Sequence, residues 1–190
     1  ELCAKMNWVN EWFLERGIVL NHINVGGGLG IDYERPELNP IPDFEAFFGL
    51  FERFLRLGDG QQLHFELGRS VVGQCGTLIT KVLYLKEGLH KNFVICDAGM
   101  TELLRPALYQ AKHKISNLTS VYTDQRSYDV VGPICESSDC FGKDVELPVT
   151  GRGDMIAVRS AGAYGEVMSS QYNLRNKAQA YYSEKKFVYA

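Results

Sequence analysis

Residues 18–30 read Ile-Val-Leu-Asn-His-Ile-Asn-Val-Gly-Gly-Gly-Leu-Gly, and this run sets the architecture of the first part of the chain. Its apolar beginning is typical of a buried β-strand, and the glycines that follow are typical of a tight loop. Before it, apolar residues recur at helical spacing through residues 1–16, and Gly17 ends the predicted helix. A helix followed by a strand and a loop is how a parallel α/β unit begins.

The sequence then repeats this alternation. Asp43 is a suitable N-cap for a second helix, whose phenylalanines fall on one side between Phe44 and Phe54. Residues 62–66, Gln-Leu-His-Phe-Glu, predict a second short strand. We therefore interpret residues 1–70 as a parallel α/β unit.

The pattern changes near Ser70. The later apolar runs are short and separated by turn residues, which predicts an antiparallel β domain over residues 71–190. The runs lie at residues 71–72, 77–85, 93–96, 130–131 and 155–158. One helical interruption is predicted at residues 162–172, and residues 181–190 are predicted to be a solvated end or an edge strand.

The composition excludes several classes of protein. The 190 residues carry a net charge of -3, so no basic surface for nucleic acid is expected. No apolar run reaches the roughly 18 residues that a membrane-spanning helix needs, and residues 1–6 do not resemble a signal peptide. The five cysteines form no CxxC pair, so we expect no disulfide framework and no metal site. Free thiols indicate a cytoplasmic protein.

Two stretches are candidates for binding or catalysis. The glycine loop at residues 26–30 can expose backbone N–H groups that bind phosphate, although a tight turn with no ligand has the same sequence. The second stretch is Gly132-Pro-Ile-Cys-Glu-Ser-Ser-Asp139, where a thiol at Cys135 lies beside a carboxylate at Glu136. Such a pair can transfer a proton and hold a substrate ammonium; the alternative is a buried structural cysteine beside a solvated turn.

Six motifs occur in an order that points to one family. They are Asn24-Val-Gly-Gly-Gly-Leu-Gly-Ile, Glu66-Leu-Gly-Arg-Ser-Val-Val, Asp97-Ala-Gly-Met, Leu104-Arg-Pro-Ala-Leu-Tyr109, Val131-Gly-Pro-Ile-Cys-Glu-Ser-Ser-Asp139 and Gly162-Ala-Tyr-Gly-Glu-Val-Met. Together, from about His22 to about Arg175, they closely resemble the diaminopimelate decarboxylases. These are pyridoxal-phosphate enzymes built from an alanine-racemase-like (β/α)8 barrel and a β domain. The resemblance implies that residues 1–70 are the C-terminal part of the barrel and that residues 71–190 form a β-sandwich or barrel.

The resemblance implies roles for residues that bind the cofactor, pyridoxal 5'-phosphate. The glycines match the loop that takes its phosphate. Glu66 matches the carboxylate that faces the pyridine nitrogen, which such a group keeps protonated so that the ring can accept electrons. The matched cofactor-binding positions are Gly26, Gly27, Gly28, Glu66, Gly68, Arg69 and Tyr164.

The resemblance also implies roles toward the substrate. Cys135 matches the proton donor and Glu136 the residue that holds the distal ammonium, and in the family both come from the partner subunit of a homodimer with shared active sites. A guanidinium suits the distal carboxylate. The matched substrate-binding positions are Arg69, Arg105, Tyr109, Glu136 and Tyr164.

The sequence departs from the family pattern in two ways. Leu67 stands where the family usually has proline, which removes no functional group. The family's Schiff-base lysine and the histidine that stacks on the cofactor lie on early barrel strands, ahead of anything in this chain. We therefore expect the chain to be the C-terminal half of the enzyme and to be inactive alone.

The expected function is pyridoxal-phosphate-dependent decarboxylation of meso-2,6-diaminopimelate to L-lysine and CO2, the last step of lysine biosynthesis. One alternative is a polyamine-pathway decarboxylase of the same fold that acts on ornithine, arginine or carboxynorspermidine. Arg105 and Tyr109 argue against ornithine, which has no distal carboxylate. A second alternative is a non-catalytic homologue that acts as a binding or regulatory module.

Overall fold

The computed structural model describes residues 1–183, and residues 184–190 of the predicted tail lie outside the described part. The chain divides into two compact units. The first comprises Glu1–Thr77 together with Arg159–Ala163, and the second comprises Leu78–Val158 together with the described residues from Tyr164 onward. A boundary between residues 70 and 71, as predicted from the sequence, leaves residues 71–77 and 159–163 outside the first unit.

The first unit contains the predicted alternation of helices and strands. Its elements are α1 (Leu2–Leu14), β1 (His22–Asn24), α2 (Phe44–Phe54), β2 (Gln62–His64) and α3 (Gly68–Val72). The two strands pair in parallel, with His22 opposite Gln62 and Asn24 opposite His64. Two strands do not make a barrel, and β1 is shorter than the predicted strand because pairing begins only at His22.

Local sequence explains the helix ends. Gly17 adopts a left-handed φ of 72° just beyond α1, a conformation that glycine allows without strain. The predicted N-cap of α2 is confirmed, since the Asp43 carboxylate accepts a hydrogen bond from the backbone N–H of Ala46 at 2.8 Å.

Aromatic packing holds α2 against the strand layer. Phe65, just after β2, lies edge-on to three phenylalanines of α2, with ring centroids 4.9 to 5.9 Å apart. The buried residues at the centre of this packing are Ile23, Val25, Phe51 and Leu55. Of the phenylalanine stripe of α2, Phe51 is therefore core and Phe47 packs against it, whereas Phe54 is half exposed.

The second unit is a six-stranded sheet with one short helix. Its elements are β3 (Leu78–Glu87), β4 (Asn92–Cys96), α4 (Arg105–Tyr109), β5 (Ile115–Asn117), β6 (Gln125–Val131), β7 (Cys140–Pro148), β8 (Met155–Val158) and a 3-10 helix (Tyr172–Leu174). The strand order is β5-β8-β3-β4-β6-β7, and the outer strands β5 and β7 also contact each other, so the sheet is nearly closed.

Three sequence-based expectations about this region need correction. The sheet is mixed and not wholly antiparallel, because β4 and β6 pair in parallel. Val71 and Val72 belong to helix α3 and not to a strand. Where a helix was predicted over residues 162–172, residues 162–168 form turns and residues 169–171 are irregular, since Tyr164 has a left-handed φ of 68° that interrupts helical geometry.

Candidate active site

The glycine loop directly follows β1, and its shape requires glycine at three consecutive positions. Gly26 and Gly28 have φ angles of 71° and 116°, which other residues rarely adopt. A Cβ atom on Gly27 would lie 2.9 Å from the carbonyl oxygen of Glu66, because the loop passes close to the backbone after β2. The Glu66 N–H donates to the Gly26 carbonyl at 2.8 Å, which joins the two strand ends.

The N–H groups of Gly27 and Gly28 in this loop are available to a ligand. The Gly26 N–H already donates to Oδ1 of Asn24 at 2.8 Å. By contrast, the N–H groups of Gly27 and Gly28 donate to no acceptor within residues 1–183. Backbone N–H groups presented together in this way can bind an anion such as phosphate.

Asn24 joins the glycine loop to Glu66. Its Nδ2 donates to Oε1 of Glu66 at 2.7 Å, while its Oδ1 accepts the Gly26 N–H. The Glu66 carboxylate is otherwise exposed, so this amide is what orients it. Asn24 has no predicted role, although it lies at a strand end two residues before the first glycine, and that position is the signal for it in the sequence.

Gly68 and Arg69 open helix α3, immediately after Glu66. Leu67, where the family pattern has proline, is the N-cap with φ -90°, and its N–H donates to no acceptor among the described residues. Proline at this position would lose no hydrogen bond, because the N–H group that it lacks is not used by the leucine.

In the second unit, three of the predicted residues come together around one guanidinium. The Arg105 Cζ lies 5.5 Å from the ring centroid of Tyr109 and 5.0 Å from that of Tyr164. Helix α4 begins at Arg105 with Pro106 in its first turn and ends at Gln110, whose φ is 53°. These helix ends place Arg105 and Tyr109 one turn apart on the same face.

The Arg105 side chain has no anionic partner in residues 1–183. No carboxylate there lies within ion-pair distance of it, and its Nε is buried without a hydrogen bond. A guanidinium that has no anionic partner of its own can form charge-assisted hydrogen bonds with a carboxylate ligand.

The loop that carries Cys135 and Glu136 is anchored by Asp139. The Asp139 carboxylate accepts from the backbone N–H of Ile134 at 2.7 Å and of Met100 at 2.6 Å. Burial raises the pKa of this carboxyl, and the two N–H groups oppose that change. A Cβ atom on Gly99 or Gly132 would come within 2.7 Å of its oxygens, so both glycines are needed for the approach.

The anchored loop leaves the Cys135 thiol exposed, in contrast to a buried structural cysteine. Elsewhere in the second unit, burial raises the pKa of Cys96 to about 12 and also raises that of Cys140. In the first unit, the exposed Cys75 donates its S–H to the Val72 carbonyl at 2.9 Å. Cys135 has no hydrogen-bond partner in residues 1–183, so its thiol is available for proton transfer.

A residue that the sequence analysis missed completes this cluster. The Tyr172 hydroxyl donates to Oε1 of Glu136 at 2.7 Å. The Glu136 carboxylate, by hydrogen bonding and by its charge, raises the pKa of Tyr172. The two residues are 36 positions apart, so no local pattern connects them.

The predicted site residues therefore form two groups. The first unit holds the glycines, Glu66 and the Gly68-Arg69 pair, and the second holds the arginine–tyrosine and the Cys135–Glu136 clusters. No group of three metal-ligating side chains occurs within residues 1–183. No helix in that part of the chain is long and apolar enough to cross a membrane.

Comparison with known proteins identifies the family. Residues 16–162 match the family described as pyridoxal-dependent decarboxylase, C-terminal sheet domain. The chain is 56% identical over 183 residues to the diaminopimelate decarboxylase of Bacteroides thetaiotaomicron, covering 96% of this chain and 47% of that protein. It is 50% identical over 159 residues to the diaminopimelate decarboxylase of Vibrio cholerae, covering 84% of this chain and 37% of that protein.

Solved structures agree with these matches. The crystal structure of diaminopimelate decarboxylase from Helicobacter pylori complexed with L-lysine superposes with a TM-score of 0.77 and 41% identity, covering 93% of this chain and 43% of that one. The chain spans less than half the length of each of these relatives. The glycine loop, the sheet unit and these matches together show that the chain belongs to the pyridoxal-dependent decarboxylases and contains their C-terminal sheet domain.

Proposed function

We propose that this chain is the C-terminal part of an enzyme that decarboxylates meso-2,6-diaminopimelate to L-lysine and CO2 with pyridoxal 5'-phosphate. In this proposal residues of the first unit belong to the end of a (β/α)8 barrel, and the preceding part of the enzyme supplies the Schiff-base lysine. The enzyme works as a cytoplasmic homodimer with shared active sites. The relatives named diaminopimelate decarboxylase support the substrate, at up to 56% identity.

The residues of the first unit fit the cofactor. The free N–H groups of Gly27 and Gly28 would bind its phosphate, with Gly68 and Arg69 beside them in sequence. Glu66, oriented by Asn24, would keep a proton on the pyridine nitrogen. When bound, the protonated ring supplies the electron sink that decarboxylation needs.

The observation that carries the substrate assignment is the state of Arg105. Its guanidinium lies against two tyrosine rings, lacks a carboxylate partner in the described residues and has a buried, unpaired Nε. Diaminopimelate has a second carboxylate at the end remote from the reaction, and this group would satisfy Arg105. Ornithine has no such carboxylate and would leave the charge unpaired.

Two further residues of the second unit complete the assignment. Glu136 would accept a hydrogen bond from the distal ammonium of the substrate, because its carboxylate is exposed and carries the opposite charge. The exposed Cys135 thiol would give the proton that replaces CO2 at the reacting carbon. We propose that both act in the site of the partner subunit.

Substrate profiling of the full-length, cofactor-loaded enzyme tests the proposal. We expect CO2 release from meso-diaminopimelate and little from ornithine or arginine. Arg105→Ala should raise KM for diaminopimelate at least about 30-fold, the equivalent of about 2 kcal/mol, because a charge-assisted contact is lost. Lys81→Ala, a change on an exposed residue of β3, is the control. Faster turnover of ornithine than of diaminopimelate would favour the polyamine alternative, and no turnover of any of them would favour a binding module.

A further inference from the structure

Tyr172 bonds to one oxygen of Glu136, and the other oxygen accepts no hydrogen bond from residues 1–183. The 2.7 Å contact is made by the phenol oxygen to Oε1, and a carboxylate has two oxygens that each accept hydrogen bonds. The raised pKa of Tyr172 keeps the phenol protonated, so it acts as the donor throughout the neutral range. The contact is made by the phenol oxygen, so a phenylalanine at this position could not make it.

The backbone around Tyr172 is held in an unusual conformation. The next two residues, Asn173 and Leu174, have left-handed φ angles of 55° and 58°. Two consecutive non-glycine residues in this region are unfavourable and persist only where neighbouring contacts enforce them. The strained turn fixes the direction in which the chain leaves Tyr172.

Contacts on both sides enforce that turn. Before it, the Ser170 N–H donates to the Thr101 carbonyl at 2.9 Å. After it, the Arg175 guanidinium donates to the Asp97 carbonyl and lies 3.9 Å from the buried carboxylate of Glu102. The chain on both sides of Tyr172 therefore contacts residues 97–102.

The loop that carries Glu136 is attached to the same segment. Asp139 accepts the Met100 N–H at 2.6 Å, and the Ser138 hydroxyl lies 3.9 Å from the Met100 sulfur. The segments that carry Tyr172 and Glu136 are thus both held by contacts to residues 97–102. The bond from Tyr172 restrains the Glu136 carboxylate before any ligand arrives, which lowers the entropic cost of binding.

From this arrangement we propose that Tyr172 is a positioning residue for substrate, which holds Oε1 of Glu136 so that Oε2 accepts the distal ammonium of an amino-acid substrate. The inference rests on the proposed function for the role of Glu136. It adds a second determinant of substrate affinity that acts on the ammonium, whereas Arg105 acts on the carboxylate.

Kinetics of the full-length, cofactor-loaded enzyme test this role. Tyr172→Phe removes one oxygen and should raise KM for diaminopimelate about tenfold, with kcat changed much less, because a hydrogen bond to a charged group is lost. Tyr122→Phe is the matched control, since Tyr122 is an exposed tyrosine of the same unit whose hydroxyl donates to no described residue. In a Glu136→Ala background, Tyr172→Phe should have no further effect on KM.

A second measurement does not depend on turnover. Near-ultraviolet titration of the cofactor-free enzyme should show one phenol that ionises at lower pH in Glu136→Gln than in wild type, and this change should be missing in the Tyr172→Phe background. An unchanged KM in Tyr172→Phe, or additive effects with Glu136→Ala, would overturn the positioning role. If wild type shows no decarboxylation of diaminopimelate, the proposed function fails, and an unchanged phenol titration would additionally reject the Tyr172–Glu136 pair itself.

Discussion

Asn24 illustrates how one amide can serve two neighbours with opposite hydrogen-bonding needs. Its Oδ1 accepts the Gly26 N–H, and its Nδ2 donates to the Glu66 carboxylate. An aspartate has the same shape but only acceptor oxygens when ionised, so it can satisfy Gly26 and not Glu66. The identity of this residue as an amide therefore follows from the charge of Glu66.

We predict that Asn24→Asp impairs the function of the Glu66 carboxylate in the full-length enzyme. The Asn24 Nδ2 lies 2.7 Å from Oε1 of Glu66, and a carboxylate oxygen in its place would bring two negative charges to that distance. Two carboxylates so close cannot both ionise, so they would share a proton at neutral pH. The expected result is a kcat at least about tenfold lower at neutral pH, with partial recovery as pH rises. The pH profile of kcat is the measurement, and a profile identical to wild type would contradict the role of Asn24.

The paired exchange Asn24→Asp with Glu66→Gln separates the two functions of this pair. The glutamine amide can donate to the new carboxylate, so the contact re-forms with its donor and acceptor reversed. We expect cofactor affinity, measured by fluorescence titration, to return near the wild-type value while kcat stays low. Recovery of kcat as well would mean that the charge of Glu66 is not needed.

Glu66→Gln alone should reduce kcat much more than it raises KM. A neutral amide cannot keep a proton on the pyridine nitrogen, and that proton matters most when negative charge develops in the transition state. Steady-state kinetics with diaminopimelate check this. A mutant with nearly normal kcat and a raised KM would reassign Glu66 to ground-state binding.

At this scale the sequence was informative where function depends on a residue type within a motif. Arg105, Tyr109 and Tyr164 were named from motifs, and they meet around one guanidinium. Asn24 and Tyr172 were not assigned roles, because their contacts join positions 42 and 36 residues apart. Hydrogen bonds over such separations have no periodic signature in a single sequence.

Among the elements, the capped helix and the apolar strands were predictable, whereas segments whose shape depends on backbone conformation were not. The α2 cap at Asp43 and the strand β8 (Met155–Val158) follow from local residue types. The turns at residues 162–168 do not, because neither a left-handed φ nor a close backbone approach can be read from the residue types there. The left-handed φ of Tyr164 interrupts a helix there, and the glycine at position 162 allows a close backbone approach to Val72 and Gly76.

Gly162 should tolerate no side chain. A Cβ atom there would lie 2.0 Å from the Val72 carbonyl oxygen and 2.8 Å from the Gly76 nitrogen, and backbone atoms cannot move aside cheaply. We predict that Gly162→Ala lowers stability by about 1–3 kcal/mol and increases amide hydrogen exchange in residues 73–76.

Gly49→Ala is the matched control for this prediction. Gly49 lies inside α2, and a Cβ atom there meets nothing within 4 Å. Alanine at a helical position should stabilise by roughly 0.5–1 kcal/mol, so the two changes should shift the thermal midpoint in opposite directions. Equal midpoints for the two variants would show that the contact at Gly162 relaxes without cost.

For the whole chain, the sequence predicted two regions but not how the chain returns from one to the other. Residues 159–163 follow β8 and belong to the first unit, where the Gly162 N–H donates to the Gly73 carbonyl at 2.9 Å and the Ala161 N–H to Gly76 at the same distance. These hydrogen bonds join backbone groups, which every residue except proline has in full. Side-chain patterns therefore could not reveal it.

The proposed sharing of sites between subunits makes a quantitative prediction for mixed dimers. One full-length variant lacks the Schiff-base lysine and the other is Cys135→Ala, so each homodimer is inactive. If Cys135 serves the partner's cofactor, a mixed dimer has one site with both lesions and one with neither. After random exchange half the dimers are mixed, and activity should approach about a quarter of wild type.

The exposed position of Cys135, on a loop anchored by Asp139, is compatible with this arrangement because the thiol is free to face another chain. CO2 release from the mixture, measured after exchange is verified with differently tagged subunits, gives the answer. Mixing the lysine variant with Cys75→Ala is the control, since the Cys75 thiol donates to the Val72 carbonyl of its own chain and its loss should leave the second subunit active. No recovery with Cys135→Ala despite full exchange would place this thiol in the same subunit as its cofactor, or outside catalysis.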